Sequence, residues 1–342
     1  MAENLPPLED QFQFASDDLS NLDTESESIN TPSLTYFQDV KRRLIRNKVA
    51  MTSLILLVII ALVAIFAPIL SPHDPNAQNV LYANLPPKWG SLNIPGLNGI
   101  HEAGGHMVNA YQAEHVPKGT YYIMGTDYLG RDLFSRILYG TRLSLFIAVV
   151  ATAVDLLVGV PYGLISGWVG GAVDTFMQRI VEILSSIPNL IVVVLLLLIL
   201  KPGITSIIIA IAFTGWITMS RLVRAQTFKL KESEYVLAAR TLGESPFKIA
   251  MKHLIPNLSS TIIIQTMFTI PSAIFFEAFL SFIGIGIPAP NASLGTLLND
   301  GQKAFHFLPY QMWVPAIVLS VIMITTNLLG DGLRDAFDPK SK

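Results

Sequence analysis

The sequence contains no cysteine, and only 14% of its 342 residues are charged. Without cysteine there are no disulfides and no thiolate metal sites, although this says little about the compartment of a membrane protein. The chain also lacks a GxxxxGK[ST] run, the loop that cradles nucleotide phosphates, so we expect it neither to bind nor to hydrolyse ATP. We expect no cofactor, no metal and no nucleic acid on this chain.

What the sequence has instead is apolar length. Hydrophobic residues make up 51% of the chain, and its mean hydropathy is +0.50. A helix that crosses a membrane needs about 20 mostly apolar residues. Stretches of this kind cover residues 50–70, 142–166, 179–200, 203–223, 258–286 and 312–330. The sequence therefore predicts an all-α membrane protein with six transmembrane helices.

The N-terminal region is acidic first and basic afterwards. The first 40 residues carry nine acidic side chains and no Lys or Arg, and we predict that residues 1–32 form a disordered acidic cytoplasmic tail. Residues 33–49 are predicted to form an amphipathic interfacial segment. Its basic cluster comprises Lys41, Arg42, Arg43, Arg46 and Lys48. Because positive charge favours the cytoplasmic side, this cluster predicts that the N-terminus, and after six spans the C-terminus, is cytoplasmic.

Residues 71–141 are predicted to form a large extracytoplasmic loop that ends in an interfacial helix. Gly125 to Leu145 reads as a turn followed by an amphipathic helix. We favour an anchoring helix whose arginines reach the lipid head groups, and a lid over a pore is the alternative. The arginines concerned are Arg131, Arg136 and Arg142.

Within this loop the run HEAGGH resembles a zinc-protease signature only superficially. His101 and His106 are five residues apart rather than four, and two glycines argue against a helix. We therefore favour a solvated loop over a metalloenzyme built on His101, Glu102 and His106.

Three ionisable side chains fall within or near the spans, where a charge is costly and marks a functional candidate. For Asp155, an interhelical hydrogen bond and a role in lining a translocation path are weighed equally. Glu182 is one turn from Arg179, which favours an ion pair. Pro271 interrupts the fifth stretch, so we expect a broken element with a second short helix, which places Glu277 at the outer mouth of a path between subunits.

The longest polar interruption in the apolar half of the chain, residues 232–257, predicts a docking element. Residues 234–241 are good helix formers, and Gly243 can adopt the positive φ that ends a helix. Ser245 followed by Pro246 is typical of an N-cap and a first helical turn. We expect a helix, a sharp turn and a second helix, shaped to fit a groove in a partner.

Charge places this element on the same side of the membrane as the N-terminus. The basic residues of the loop are Arg224, Lys229, Lys231, Arg240, Lys248 and Lys252. Ala238 and Ala239 present almost no side chain, so a partner's surface could approach the backbone closely at these positions.

Separated segments of the chain, in the right order, resemble the permease subunits of bacterial ABC importers for peptides and nickel. They are GTDYLGRDLFSR at 125–136, GGAVDTFMQRIVEILSSIP at 170–188, EYVLAARTLG with HLIPN at 234–257, FEAFLSFIGIG at 276–286 and GDGLRDAFDP at 330–339. The similarity covers about residues 33–340 and is greatest to the oligopeptide permease C subunit. It implies the fold of type I ABC importer permeases, with a permease core at 142–340 and cytoplasmic coupling helices at 232–256.

The resemblance also implies which residues couple this chain to an ATPase subunit. They are Glu234, Leu237, Ala238, Ala239, Arg240, Gly243 and Pro256. The glutamate that precedes the alanine pair in the family pattern is Leu237 here, so its salt bridge cannot be carried over. Glu234 lies on the same helix face and is the alternative acid. We therefore expect shape and apolar contact to dominate docking and the charged residues to be secondary.

The function so implied is the pore-forming subunit of an ATP-driven peptide importer, with an oligopeptide as the expected cargo. The expected partners are a second homologous permease subunit, two ATPase subunits that bind ATP and Mg²⁺, an extracytoplasmic peptide-binding lipoprotein and membrane lipid. The expected location is the bacterial cytoplasmic membrane. A dipeptide or nickel importer is the alternative, and a proton-coupled secondary transporter using Asp155 or Glu277 is a more distant one, since no internal repeat is visible.

Overall fold

The computed structural model describes residues 35–90, 92–103 and 105–338. The tail predicted for residues 1–32 lies outside this part of the chain. The chain divides into a short N-terminal unit, Met1–Arg42, and a main unit, Arg43–Lys342. Helix α1 (Tyr36–Arg46) carries basic residues in its last turn.

The first span is formed by α2 (Lys48–Ile65), which is followed by the short helix α3 (Ala67–Leu70). The side chain of Asn47 accepts a hydrogen bond from the backbone N–H of Ala50 at 3.1 Å, so it caps the N-terminus of α2. The helix thus begins within the predicted basic segment and ends before residue 70.

The segment between α3 and α5 is mostly irregular, as its proline and glycine content predicts. A 3₁₀ turn covers Val80–Tyr82, and α4 covers Ala110–Ala113. Between them, β1 (Ile100–Ala103) and β2 (His106–Asn109) form an antiparallel hairpin. The HEAGGH run is therefore a hairpin and not a helix. Among the described residues, no three His, Cys, Asp or Glu side chains converge on a common metal position.

The rest of the main unit is helical. A continuous rod is formed by α5 (Leu133–Val154), a π-helical turn (Asp155–Gly159) and α6 (Val160–Val169). The later helices are α7 (Gly171–Ser186), α8 (Asn189–Leu200), α9 (Ile204–Lys231), α10 (Glu234–Thr241), α11 (Pro246–Ile249), a π-helical turn (Ala250–Leu254), α12 (Ile255–Phe282), α13 (Leu294–Lys303) and α14 (Tyr310–Phe337). Within the described residues, five helical stretches are long and apolar enough to cross a membrane, or six if the bent pair α7 and α8 counts as one.

That bent pair corrects the prediction for the third span. Residues 179–200 do not form one helix, because α7 and α8 meet at 82°. A residue that precedes proline is disfavoured in helical conformation, and Ile187 before Pro188 is extended, with φ −92° and ψ 127°. The hydropathy of residues 179–200 depends only on their composition, so it cannot show that the chain changes direction between α7 and α8.

The fifth span differs from the prediction in the opposite sense. The break expected at Pro271 and the second short helix are wrong, because α12 runs through Pro271 to Phe282. Proline removes one backbone hydrogen bond, but a true break would leave several more backbone groups unpaired in an apolar medium. The continuous helix is the less costly choice.

The interfacial helix expected near residue 133 is also corrected. Helix α5 begins at Leu133, capped by Asp132, and continues directly into the second span. Arg131 and Arg136 do not reach out to head groups, since both are almost fully buried. Arg131 Nε donates to Asp127 Oδ2 at 2.7 Å, and Arg136 Nε lies 3.4 Å from the same oxygen. These arginines therefore tie the irregular segment to the start of α5.

A row of glycines joins α6 to α9. Gly159, the last residue of the π-helical turn, and Gly163 and Gly167 on α6 recur every four residues, and a Cβ at any of them would lie under 3 Å from an atom of α9. At Gly163 the nearest atom would be the carbonyl oxygen of Ser220, at 2.5 Å. Small residues at this spacing let two membrane helices approach backbone to backbone. In this chain the three glycines allow α6 and α9 to pack at very short distance.

Candidate functional site

The predicted docking element is present as a helix, a turn and a second helix. Helix α10 ends before Gly243, whose φ is +79°, in the left-handed region that glycine adopts without strain. The next helix, α11, begins with Ser245 as N-cap, its hydroxyl accepting from the N–H of Lys248, and with Pro246 in the first turn. The local predictions for this stretch are confirmed.

Glu244 fixes the turn between the two helices. Its carboxylate lies 3.1 Å from Lys248 Nζ and 2.9 Å from His253 Nε2, and its backbone N–H donates to the carbonyl oxygen of Ala239 at 3.1 Å. Hydrogen bonds from Lys248 and then from His253 lower the pKa of the Glu244 carboxyl below its ordinary value. The turn is therefore held at both ends by contacts within the element.

Four large apolar side chains of the docking element are exposed. Leu242 is 84% exposed and Phe247 is 76% exposed, and Met251 and Leu237 are about half exposed. Exposed apolar groups gathered on one surface mark an interaction site. We call these four residues the docking face.

The alanine pair does not act as a unit. Ala238 is exposed beside Leu237, whereas Ala239 is 6% exposed and packs against the protein's own core. The expectation that a partner approaches the backbone at both alanines is therefore corrected for Ala239. Ala239 is small because the helix lies close to the core, and Ala238 alone of the pair is open to a partner.

The other predicted coupling residues surround the docking face. Glu234 lies in the first turn of α10 and Pro256 in the first turn of α12, and both are exposed. Arg240 is exposed, but its guanidinium lies 5.7 Å from the ring centre of Trp168 at the end of α6. Arg240 is thus partly occupied by a contact within the chain.

The element rests on an apolar core that continues into the membrane helices. Val236, Ile249 and Leu254, all fully buried, belong to one cluster with residues of α6, α9 and α12. The cluster members contributed by those helices are Val160, Leu164, Met219, Val223 and Leu258. This continuous packing connects the docking element to α6, α9 and α12.

Asp155 occupies the π-helical turn between α5 and α6. It is 3% exposed, and Thr269 Oγ1 on α12 donates to its Oδ2 at 2.7 Å. This confirms the interhelical hydrogen bond that the sequence suggested. Asp155 also lines a cavity of about 350 Å³ between these helices and α9. The two interpretations weighed for Asp155 are therefore compatible, and its role in a path stays a prediction.

Glu277 is enclosed within the chain, and its role in a path stays a prediction. It is 0% exposed, enclosed between α12 and α5, and accepts hydrogen bonds from Ser144 Oγ and Ser281 Oγ, both at 2.8 Å. This geometry favours a structural tie between the two helices over a position at an open mouth. Glu182 behaves as predicted, since Arg179 Nη1 lies 2.7 Å from its Oε2.

Sequence reasoning missed the ion pair that joins α9 to α7. Arg224 on α9 donates two hydrogen bonds to Asp174 on α7. The two residues are 50 positions apart in the chain, so no local pattern joins them. Leu242 and Phe247 were also not singled out, although two large apolar residues flanking Gly243 in a polar loop are a readable signal for a contact surface.

Comparisons with known proteins agree with this geometry. A family model described as the binding-protein-dependent transport system inner membrane component matches residues 159–342. A second model, described as the N-terminal TM domain of oligopeptide transport permease C, matches residues 35–87. The two matches together include α2, the docking element and Asp174.

Several curated proteins are similar over nearly the whole chain. The dipeptide transport system permease protein DppC of Lactococcus lactis subsp. cremoris is 47% identical, over 92% of this chain and 94% of that protein. The oligopeptide transport system permease protein OppC of Bacillus subtilis is 42% identical over 92% and 93% of the two chains. OppC of Escherichia coli is 37% identical over 94% and 97%.

The fold is similar to a solved structure as well. A chain of the MetNI methionine ABC transporter, in an inward-facing conformation, aligns with a TM-score of 0.50 and 18% identity. The alignment covers 60% of this chain and 98% of that chain. At this identity the similarity supports the all-α arrangement of a type I importer permease and nothing about cargo.

Proposed function

This chain belongs to the family of binding-protein-dependent transport system inner membrane components, and from that we propose that it is a pore-forming subunit of an ATP-driven peptide importer. The proposed cargo is an oligopeptide, which is supported by the match of residues 35–87 to the N-terminal domain of oligopeptide transport permease C. The relatives are named for oligopeptide and for dipeptide transport, so peptide length is a variable of the test below.

The observation that carries the mechanism is the docking face seated on the α6–α9 core. We propose that Leu242 and Phe247 insert into a cleft of an ATPase subunit, where burying each large apolar side chain contributes roughly 1.5–3 kcal/mol. Closure of two ATPase subunits on ATP then draws this element toward its counterpart on a second, related permease. Alternating access follows from the movement of the membrane helices to which the element is packed.

The remaining partners and the orientation follow from this assignment. An extracytoplasmic binding lipoprotein delivers the cargo, and ATP with Mg²⁺ is bound by the ATPase subunits. We assign both termini and the docking face to the cytoplasm, since the basic clusters beside α2 and between α9 and α12 lie on that side by the positive-inside rule. The proposed location of the protein is the bacterial cytoplasmic membrane.

The test is uptake by the reconstituted complex. The two permeases and two ATPase subunits are placed in liposomes, with the binding protein outside and ATP inside, and uptake of labelled di-, tri- and pentapeptides is measured. We expect uptake that requires ATP and the binding protein. Uptake that follows a proton gradient without ATP would instead establish a secondary transporter, and uptake of Ni²⁺ in place of peptide would establish a different cargo.

A further inference from the structure

A cavity of about 350 Å³, lined by both polar and apolar side chains, opens within the membrane-spanning part of the chain. It lies where the π-helical turn after α5, the start of α8 and the middles of α9 and α12 meet. Its polar lining includes Asp155, Asn189, Thr214, Thr218, Gln265 and Ser272. Pockets of roughly 300–1,000 Å³ are the size that binds small organic ligands, so this cavity can take a few residues of a peptide.

The charge in this cavity is of one sign. Among the described residues that line it, Asp155 is the only ionisable one, and the other polar groups are amides and hydroxyls. A carboxylate removed from water needs a cation or several hydrogen bonds to offset its lost hydration. The lining lacks a counter-charge in its described part, so the cavity is suited to a cationic group that arrives with a ligand.

The two carboxylate oxygens of Asp155 have different surroundings. Oδ2 accepts from Thr269. Oδ1 has no hydrogen-bond donor among the described residues, and it lies beside Gly215, where an added Cβ would be only 3.2 Å away. Because glycine has no side chain, the space beside Oδ1 is not filled at this position. The carboxylate thus has one oxygen held by Thr269 and one without a donor among the described residues.

We propose that Asp155 binds the α-ammonium group of a peptide as it passes through this subunit. An ammonium group has three donors and no acceptor. Oδ1 can accept one, and the oxygens of Gln265 and Thr218 are acceptors in the same cavity. This inference rests on the proposed function and adds to it a binding position and the chemical group that the position selects.

Two variants distinguish the effect of the negative charge of Asp155 from the effect of the free space beside its Oδ1. Asp155→Asn keeps the size of the side chain and an oxygen for Thr269, but removes the negative charge. Gly215→Ala keeps the charge and places a methyl group against Oδ1. Glu182→Gln is the matched control, since it removes a carboxylate from an exposed ion pair outside the cavity.

The first measurement is binding, made without the binding protein. The purified complex of permeases and ATPases is heated with and without millimolar trialanine or N-acetyl-trialanine, and the melting temperature is recorded. We expect trialanine to raise the melting temperature of the wild type and of Glu182→Gln. N-acetyl-trialanine should not raise it, and neither peptide should raise that of Asp155→Asn. Equal shifts with the two peptides, or no shift for the wild type, would overturn the site.

The second measurement is uptake of trialanine by the complete reconstituted importer. We expect about a tenfold loss for Asp155→Asn, a smaller loss for Gly215→Ala and wild-type uptake for Glu182→Gln. Uptake by Asp155→Asn at the wild-type rate would overturn the inference and leave the proposed function intact. A wild type that binds trialanine but imports no peptide would overturn the proposed function and leave the site standing.

Discussion

Arg224 and Asp174 are joined by two parallel hydrogen bonds, from Nε to Oδ1 and from Nη2 to Oδ2, each 2.6 Å long. They connect the C-terminal part of α9 to the first turn of α7. The hydroxyl of Ser166 on α6 donates to the same carboxylate. Asp174 is therefore the point at which three helices next to the docking element are fastened together.

Loss of the Arg224–Asp174 ion pair should destabilise the protein measurably. We expect Arg224→Ala to lower the free energy of unfolding by about 1–3 kcal/mol, because Asp174 is left largely buried without its cation. Arg224→Lys should retain only part of this contribution to the free energy of unfolding, since a lysine ammonium cannot form both parallel hydrogen bonds to the carboxylate. Arg179→Ala, in the exposed pair with Glu182, is the control and should cost at most about 1 kcal/mol. Thermal unfolding in detergent measures all three, and equal effects would show that the pair near α9 has no special weight.

The docking face should control association with the ATPase. We expect Phe247→Ser to weaken co-purification of the ATPase subunits at least about tenfold, because an aromatic side chain at an interface centre carries much of the binding energy. Phe307→Ser is the matched control, since Phe307 is 88% exposed but lies between α13 and α14. Equal losses for the two variants would contradict the assignment.

The relative weight of charge and apolar contact in docking can be measured on α10 itself. We expect Leu237→Ala to weaken ATPase association more than Glu234→Arg does, since Leu237 contributes apolar area to the docking face and Glu234 is a solvated surface charge. The readout is ATP-dependent peptide uptake together with co-purification. Loss of docking in Glu234→Arg with a harmless Leu237→Ala would reverse this ranking.

The seam between α6 and α9 should be intolerant of a single methyl group. Gly163→Ala would place Cβ 2.5 Å from the carbonyl oxygen of Ser220 and 2.8 Å from Val223 Cβ, so the helices must separate. We expect a loss of about 1–3 kcal/mol in unfolding free energy, with reduced uptake. Gly203→Ala is the control, since its added Cβ meets nothing within 4 Å. Unfolding of both variants alongside the wild type gives the comparison.

The turn held by Glu244 should depend on pH in one direction. Its pKa is lowered by Lys248 and His253, below the ordinary value of 4.5, so its stabilising effect is complete above that value and is lost as pH falls through the folded-state pKa. We expect the wild type to melt above Glu244→Gln at pH 6, and this difference to shrink as the pH falls below 4.5. A difference that persists undiminished at low pH would show that the contact does not depend on the charge of Glu244.

The docking element could be predicted because its signals are local. The positive φ of Gly243, the cap of Ser245 and the first turn at Pro246 each depend on a few neighbouring residues. Which face of α10 turns inward could not be predicted in the same way. Val236 and Leu237 are both apolar, and only the position of the core decides that Val236 is buried and Leu237 exposed.

The features that sequence reasoning missed depend on contacts between residues far apart in the chain or on the angle between consecutive helices. Arg131 and Arg136 looked like lipid-facing charges because the pattern did not show that the Asp127 carboxylate folds back onto both. The second carboxylate near Arg131, that of Asp300, is far away in the chain. The 82° bend before α8 leaves hydropathy unchanged. Pro188 carried the only local signal for it.

The glycine seam also determines how stiff the molecule is between its docking face and its cavity. Gly159 follows Asp155 by about one helical turn, and at each glycine of the seam there is no room even for a Cβ between this helix and α9. The two helices should therefore behave as one rigid unit, and the docking element packs against this unit through Val236. We therefore expect a displacement at Leu242 to be transmitted along these helices toward Asp155. The 82° bend between α7 and α8 lies outside the glycine seam.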